Sequence, residues 1–259
     1  MLGKLMKYEF MAMGRVFLPL FGALIVISVV NSILGSFGLE TPAGIGIAVS
    51  VLLIISIAVI TFLLIIQRFW TNLLSNEGYL MMTLPVNTDR IILSKLLTAA
   101  ILGAASTIVV LLSILIMTIT RFDFAEITEM IKYAFGLMTF DTPQISVILI
   151  QFLIATVLSM FTNILLFYAC MSLSMLSNRY RWLVAVGSYI AIITVLQIVF
   201  AVAIATGVVS GTFGRFLLNY PTFGQIQLII VAIMLLCVVL GVIFYFITRY
   251  MLKNRLNLQ

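Results

Sequence analysis

The sequence contains no histidine, two cysteines and few charged residues. The absence of histidine excludes metal sites built on imidazole and catalysis by Ser-His or Cys-His pairs. Cys170 and Cys237 both lie in apolar runs, which is typical of small buried side chains and not of a disulfide or a metal site. The sequence also lacks a G-x-x-x-x-G-K-[ST] phosphate loop, so it has no nucleotide-binding site of that kind.

Apolar residues are what the chain has in excess. Hydrophobic residues make up 64% of the 259 residues, charged residues make up 8%, and the mean hydropathy is +1.29. Soluble globular domains have roughly 45–50% apolar and about 25% charged residues. The composition therefore predicts an integral membrane protein.

Six apolar runs are long enough to cross a membrane. A helix that crosses the hydrocarbon core needs about 20 largely apolar residues, and a helix satisfies its own backbone hydrogen bonds inside lipid. The short alternating segments of a membrane β-barrel do not occur. We therefore predict an all-α integral membrane protein with six transmembrane helices, in a single domain that covers residues 1–259. The predicted spans are 16–37, 44–66, 92–119, 146–173, 182–208 and 226–247.

The basic residues predict the orientation of the chain. If the N-terminus is inside, Arg121, Lys132 and Arg215 are the only outside residues among the 14 Lys and Arg. The positive-inside rule then places both termini in the cytoplasm. The net charge of +6 is explained by attraction to anionic lipid headgroups, and no basic patch with interleaved aromatic residues indicates a nucleic-acid partner.

Residues 1–15, MLGKLMKYEFMAMGR, have apolar residues at helical spacing on one face and basic residues on another. This pattern predicts a helix that lies in the membrane interface before the chain turns into the first span at Gly14. The alternative is a simple stop-transfer flank. The apolar positions are Leu2, Leu5, Met6, Phe10 and Met13, and the basic positions are Lys4, Lys7 and Arg15.

Charged side chains are absent from the deep part of every predicted span. Ion-coupled carriers usually place ionisable residues there. The fourth span instead has three neutral polar residues, Gln151, Ser159 and Asn163, within one broad helix face. This face is either part of a translocation path or a site of interhelical hydrogen bonds, the more common use of such groups.

Two of the outer connections are more than short turns. Segment 121–145 has the pattern of a short amphipathic helix. Segment 207–225 is rich in glycine and still apolar, which predicts an extracellular hairpin before the last span. This hairpin either dips into the membrane edge or covers the outer mouth of a cavity, and the alternative is an ordinary loop.

The cytoplasmic connection 67–91 contains the stretch NEGYLMMTLPVNTDR. Gly78 and Pro85 interrupt helix, and Asn87 or Thr88 can cap the helix that resumes after them. An apolar turn, YLMMTL, remains between the two breakers. A short helix with an apolar face on the cytoplasmic side predicts docking into a groove of another protein, and a membrane-surface segment is the alternative.

The string EGYLMMTLPV at 77–86 resembles the segment between spans two and three of bacterial ABC type-2 exporter permeases. The resemblance extends along the chain, from the KYEF sequence in the first helix to the hairpin before the sixth span. It is strongest to the small permeases that export phenol-soluble modulins and antimicrobial peptides. The string is fairly specific for the permease class and is weak evidence on the cargo.

The resemblance implies a homodimer of this chain in the bacterial plasma membrane, joined by two separate cytoplasmic ABC ATPase subunits. Those subunits would bind ATP and magnesium, whereas this chain would bind no cofactor and would not be an enzyme. The N-terminal helix would be a second ATPase contact, and an amphipathic peptide would be the cargo. The alternative function is a secondary carrier or channel for small hydrophobic solutes or ions. The implied coupling helix contains Glu77, Gly78, Tyr79, Leu80, Leu84 and Pro85.

Overall fold

The computed structural model describes residues 2–37, 40–71, 88–119, 129, 132, 143–177, 180–209 and 223–254. These residues are helical almost throughout and form no β-strand. A short 3₁₀ turn, Ser174–Leu176, follows the fourth long helix. The long helices are α1 (Leu2–Ser36), α2 (Glu40–Phe69), α3 (Thr88–Ile119), α4 (Pro143–Leu173), α5 (Arg181–Val209) and α6 (Phe223–Asn254).

All six helices are long and apolar enough to cross a membrane. Their apolar spans have between 26 and 31 residues, whereas about 20 residues cross the hydrocarbon core. This confirms the predicted all-α class and the six apolar helices. The helices extend beyond most of the predicted spans because backbone hydrogen bonding continues into polar flanks that a hydropathy count leaves out.

The turn predicted at Gly14 is absent, and this corrects the separation of an N-terminal helix from the first span. α1 is one helix of 35 residues that runs through Gly14 and also contains Pro19. Met13 and Phe17 pack into the same core cluster with Leu102, so the helix keeps its phase across the glycine. A glycine costs a helix about 1 kcal/mol relative to alanine. A break would instead leave backbone groups unpaired near lipid, which is more costly.

The described helices form two compact units, with α1–α3 in unit 1 and α4–α6 in unit 2. In unit 1, α1 packs against both α2 and α3. Glu9 of α1 contacts Lys95 of α3, and Phe17 lies in one cluster with Leu102 further along the same two helices. The residue numbers rise together along the contact, so α1 and α3 run parallel. The antiparallel α2 is tied to α3 by the hydroxyls of Thr61 and Ser106, 3.3 Å apart.

Unit 2 is built around the C-terminal half of α4, which packs against α5 and α6. Tyr168 and Ala169 of α4 are fully buried, and the ring of Phe167 stacks on that of Tyr189 in α5 at 5.2 Å. In contrast, Phe152 in the first half of α4 is 65% exposed. The core of this unit therefore lies toward the C-terminal end of α4.

Hydroxyl groups inside the helices bond to the helix backbone. Ser28 donates to the carbonyl of Leu24 at 2.7 Å, and Thr98 donates to that of Ser94 at 2.7 Å. A side-chain donor in hydrocarbon needs such a partner because water is absent. Serine and threonine are therefore compatible with buried positions along these spans.

The predicted outer segments lie mostly outside the described residues. The hairpin 207–225 is described only at its ends, where α5 continues to Val209 and α6 begins at Phe223. In the segment 121–145, Glu129 and Lys132 are helical and exposed. The hairpin and the amphipathic helix remain predictions.

The contact between Asn31 of α1 and Gly46 of α2 predicts a stability difference. A methyl group added at Gly46 would lie 2.6 Å from Asn31 Oδ1 and 2.9 Å from Asn31 Cγ, whereas one added at Gly241 would lie 3.4 Å from Thr162 Oγ1. We expect Gly46→Ala to lower the free energy of unfolding by about 1–3 kcal/mol, as overpacking does. Gly241→Ala should have a smaller effect, and adding Asn31→Ala to Gly46→Ala should recover part of the loss. Equal effects at the two glycines in SDS unfolding titrations would contradict this packing.

Candidate functional site

The predicted coupling residues between Glu77 and Pro85 lie in segment 72–87, which is outside the described residues. Their role stays a prediction. The structure describes the two ends of this segment, where α2 ends at Phe69 and α3 begins at Thr88. If this segment passes force to the membrane as predicted, the helices at its two ends must be firmly packed.

Each end has deeply buried apolar residues within a few positions of the segment. Phe69 and Ile92 are fully buried, and Ile91 is 1% exposed. Asp89 lies in the first turn of α3, where a negative charge is favourable beside the unpaired N–H groups of the helix start. We call Phe69, Ile91, Ile92, Glu9 and Lys95 the anchor of segment 72–87.

An ion pair is the polar part of the anchor. Lys95 Nζ donates a hydrogen bond to Glu9 Oε1 at 2.8 Å, and the two side chains are only 3% and 9% exposed. Arg68, near the end of α2, is close enough to repel the Lys95 ammonium. Glu9 therefore provides the negative charge for Lys95 at a point where a second cation approaches.

Sequence reasoning missed this pair. Lys95 is one of the basic residues counted for the predicted orientation, and the sequence patterns assign no role to Glu9. The available signal was that Glu9 is the only acidic residue among residues 1–15, which otherwise have three basic ones. The partner could not be identified because 86 positions separate the two residues and only the packing of α1 on α3 brings them together.

The pair lies near one end of each of its two helices and not at their middle. Glu9 and Lys95 each lie seven residues from the start of their helix, which is about 10 Å along the axis. α1 has 35 residues and is about 52 Å long, so it exceeds the ~30 Å core by roughly 11 Å at each end if it is centred. The pair is thus shielded by helices at the level where the headgroups begin, on the side predicted to be cytoplasmic.

The predicted interfacial residues of α1 divide between two sides of the helix. Lys7 and Arg15 are exposed, whereas Phe10 packs against the cluster of Met13, Phe17 and Leu102. The side chain of Lys4 lies outside the described ones. The apolar face assigned to lipid is therefore used, from Phe10 onward, for packing inside unit 1.

The polar residues predicted to line a path occupy different environments on α4. Asn163 is exposed and its Nδ2 donates to the carbonyl of Ser159 at 2.8 Å, while the Ser159 hydroxyl donates to that of Thr156 at 2.8 Å. Gln151 Oε1 is buried and has no hydrogen-bond partner among the described residues. Ser159 and Asn163 therefore lie together on one turn, and Gln151 lies two turns away.

Thr162 makes an interhelical hydrogen bond that no sequence pattern predicted. Its hydroxyl contacts the carbonyl of Cys237 in α6 at 2.9 Å and that of Leu158 in its own helix at 2.9 Å. The bond ties α4 to α6 where Gly241 also approaches Thr162. Interhelical bonding in this part of α4 is thus made by Thr162, next to the polar residues that the sequence singled out.

No family model, curated protein or solved structure matches the chain. Within the described ranges, no group of three or more His, Cys, Asp or Glu side chains is placed to hold a metal ion. The candidate site is therefore defined by its geometry: an anchor of buried apolar residues and one ion pair at the ends of segment 72–87.

The burial at the start of α3 predicts a contrast between adjacent residues. Ile92 is fully buried, whereas Leu93 is 41% exposed. We expect Ile92→Ala to lower the free energy of unfolding by about 2–5 kcal/mol, because it leaves a cavity, and Leu93→Ala to change it by at most about 0.5 kcal/mol. SDS unfolding titrations of the purified variants measure both. Similar losses at the two positions would contradict the described packing.

Proposed function

We propose that this chain is the transmembrane subunit of an ATP-driven exporter of the ABC type-2 class. It works as a homodimer with two separate ATPase subunits and exports amphipathic peptides across the bacterial plasma membrane. The observation that carries the proposal is the string EGYLMMTLPV at 77–86, between the second and third of six membrane-spanning helices. These 259 residues contain no phosphate loop, and the permease class is supplied with ATP hydrolysis by separate ATPase subunits.

Segment 76–85 docks its apolar face into a groove of the ATPase. When the paired ATPase subunits close on ATP, they push this segment. The buried ends of α2 and α3 pass the displacement into the membrane, because Phe69, Ile91 and Ile92 leave little room for a loose joint. Rocking of the helices then alternates access between the two sides.

The N-terminal part of α1 is a second contact with the ATPase. Its exposed face carries Lys7, Tyr8, Met11 and Arg15, and Tyr, Met and Arg are enriched in protein interfaces. On the outer side, segment 207–225 covers the mouth of the exit path. The proposal thus assigns the N-terminal part of α1 to the ATPase contact and segment 207–225 to the exit of the cargo.

A secondary carrier is disfavoured by the position of the ionisable groups. Coupling ions or protons are usually bound by charged side chains near the middle of the membrane. The buried ion pair that the structure describes lies about 10 Å from the ends of its helices. A peptide carrier driven by ATP needs no such charge, and neutral groups such as Asn163 suffice for hydrogen bonds to peptide cargo.

The docking of segment 76–85 is tested by copurification with the ATPase. The wild-type chain should recover the ATPase in equal numbers. Leu84→Asp should abolish recovery while membrane insertion stays normal, because the contact would have to bury an unpaired charge. Leu80→Ala should weaken it by the loss of buried methylene groups, worth ~0.8 kcal/mol each, and Glu77→Ala should have a milder effect of ~0–1 kcal/mol. Full recovery with Leu84→Asp, or export by this polypeptide alone, would count against the proposal.

The translocation path is tested on α4 with a pair of bulky substitutions. Asn163→Trp should slow export of a labelled amphipathic peptide and leave basal ATP hydrolysis nearly intact. Ile154→Trp is the matched control, because Ile154 is also exposed and lies on the opposite side of the helix at 100° per residue. Unchanged export after replacement of Gln151, Ser159 and Asn163 together would remove this face from the path.

A further inference from the structure

The Glu9–Lys95 pair joins two helices that have different relations to segment 72–87. α3 begins directly after this segment, whereas α1 is far from it in sequence. The pair, at 2.8 Å, and the cluster of Met13, Phe17 and Leu102 connect α1 to α3. Any displacement of the start of α3 reaches α1 through these contacts.

The geometry of the pair opposes sliding between the two helices. A slide of α1 along α3 by one turn is about 5.4 Å, which would take the Glu9 carboxylate out of hydrogen-bonding reach of Lys95. Both side chains are almost fully buried, so the separated charges would find little water. Leaving one member of such a pair without its partner is strongly unfavourable.

α2 is not held to Lys95 in the same way. Arg68 is a second cation near the Lys95 ammonium, and the hydroxyls of Thr61 and Ser106 form a contact between α2 and α3 at 3.3 Å. A neutral contact of this kind is weaker than a charge-assisted one. The ion pair is therefore a stronger tie between α1 and α3 than this hydroxyl contact is between α2 and α3.

We infer that Glu9 and Lys95 are positioning residues that make α1 follow α3 when segment 72–87 is displaced. The inference rests on the proposed function for the source of that displacement. The exposed N-terminal face of α1, with Tyr8 and Met11, then moves together with the start of α3. Segment 72–87 and the N-terminal face of α1, the two ATPase contacts of the proposed exporter, thus move α1 and α3 together.

The joint position of α1 and α3 is measured on the full chain alone in lipid nanodiscs. Spin labels are placed at Met11→Cys and Leu93→Cys, two exposed positions that flank the pair, after Cys170→Ala and Cys237→Ala. We expect one narrow distance, and Lys95→Met should broaden it or add a second one. Lys7→Met, the same change at an exposed lysine of α1, should leave it narrow. A distance distribution unchanged by Lys95→Met would overturn the inference.

The charge-swapped variant Glu9→Lys with Lys95→Glu separates the pairing from the individual side chains. It restores an ion pair and places a carboxylate beside Arg68, so the narrow distance should return. Where Lys95→Met gives too little folded protein, Glu9→Gln removes the charge with nearly the same shape. We expect Glu9→Gln to broaden the distance distribution and the charge swap to keep it narrow. A narrow distribution with Glu9→Gln together with a broad one for the swap would also overturn the inference.

The effect on transport is measured in the reconstituted complex as labelled amphipathic peptide exported per ATP hydrolysed. Lys95→Met should lower this ratio roughly 2- to 30-fold, the range found for changes within coupled networks, while recovery of the ATPase stays normal. The swap should restore the ratio, and Lys253→Met, the same change at an exposed lysine of α6, should not change it. A normal ratio with a broadened distance would overturn the role in coupling.

Failure of the wild-type chain to bind any ATPase would overturn the proposed function and the role of the pair in coupling. The distance measurements would still decide whether the pair holds α1 to α3.

Discussion

In the hydrocarbon layer no water is available, so each buried donor and acceptor must find its partner within the protein. This requirement explains why the described chain is built of continuous helices. It also explains the small polar contacts within them, since Ser28 and Thr98 bond to carbonyls of their own helices. Thr162 bonds to a carbonyl of its own helix and also to the carbonyl of Cys237 in α6. The same hydroxyl therefore connects two helices.

Lipid is as apolar as leucine, so apolar burial gives little drive for helices to associate in the membrane. The tightest described contacts accordingly use small or polar residues. Gly46 allows Asn31 to approach α2, and Gly241 lies against Thr162. Large fully buried side chains occur near the ends of segment 72–87, at Phe69 and Ile92, and also elsewhere in the helices, at Leu24, Ile57 and Tyr168.

The ion pair between Glu9 and Lys95 connects packing with the proposed mechanism. At the centre of the membrane it would be a site for a coupling ion. Near one end of the two helices it ties α1 to α3. In the proposed exporter this contact would have a mechanical consequence, because it would help to convert movement of the ATPase into movement of the spans.

The sequence by itself determined the all-α class and the six membrane helices, because length and apolar character are local properties that lipid enforces. It predicted a turn at Gly14, where α1 is one continuous helix, because the interfacial pattern of residues 1–15 continues the face that Met13 and Phe17 bury in unit 1. It placed Gln151, Ser159 and Asn163 within one broad face of the fourth span, but it did not predict the bond of Thr162 to α6. The pairing of Glu9 with Lys95 was decided only by tertiary structure, because parallel packing of α1 on α3 brings together two charges that are 86 residues apart.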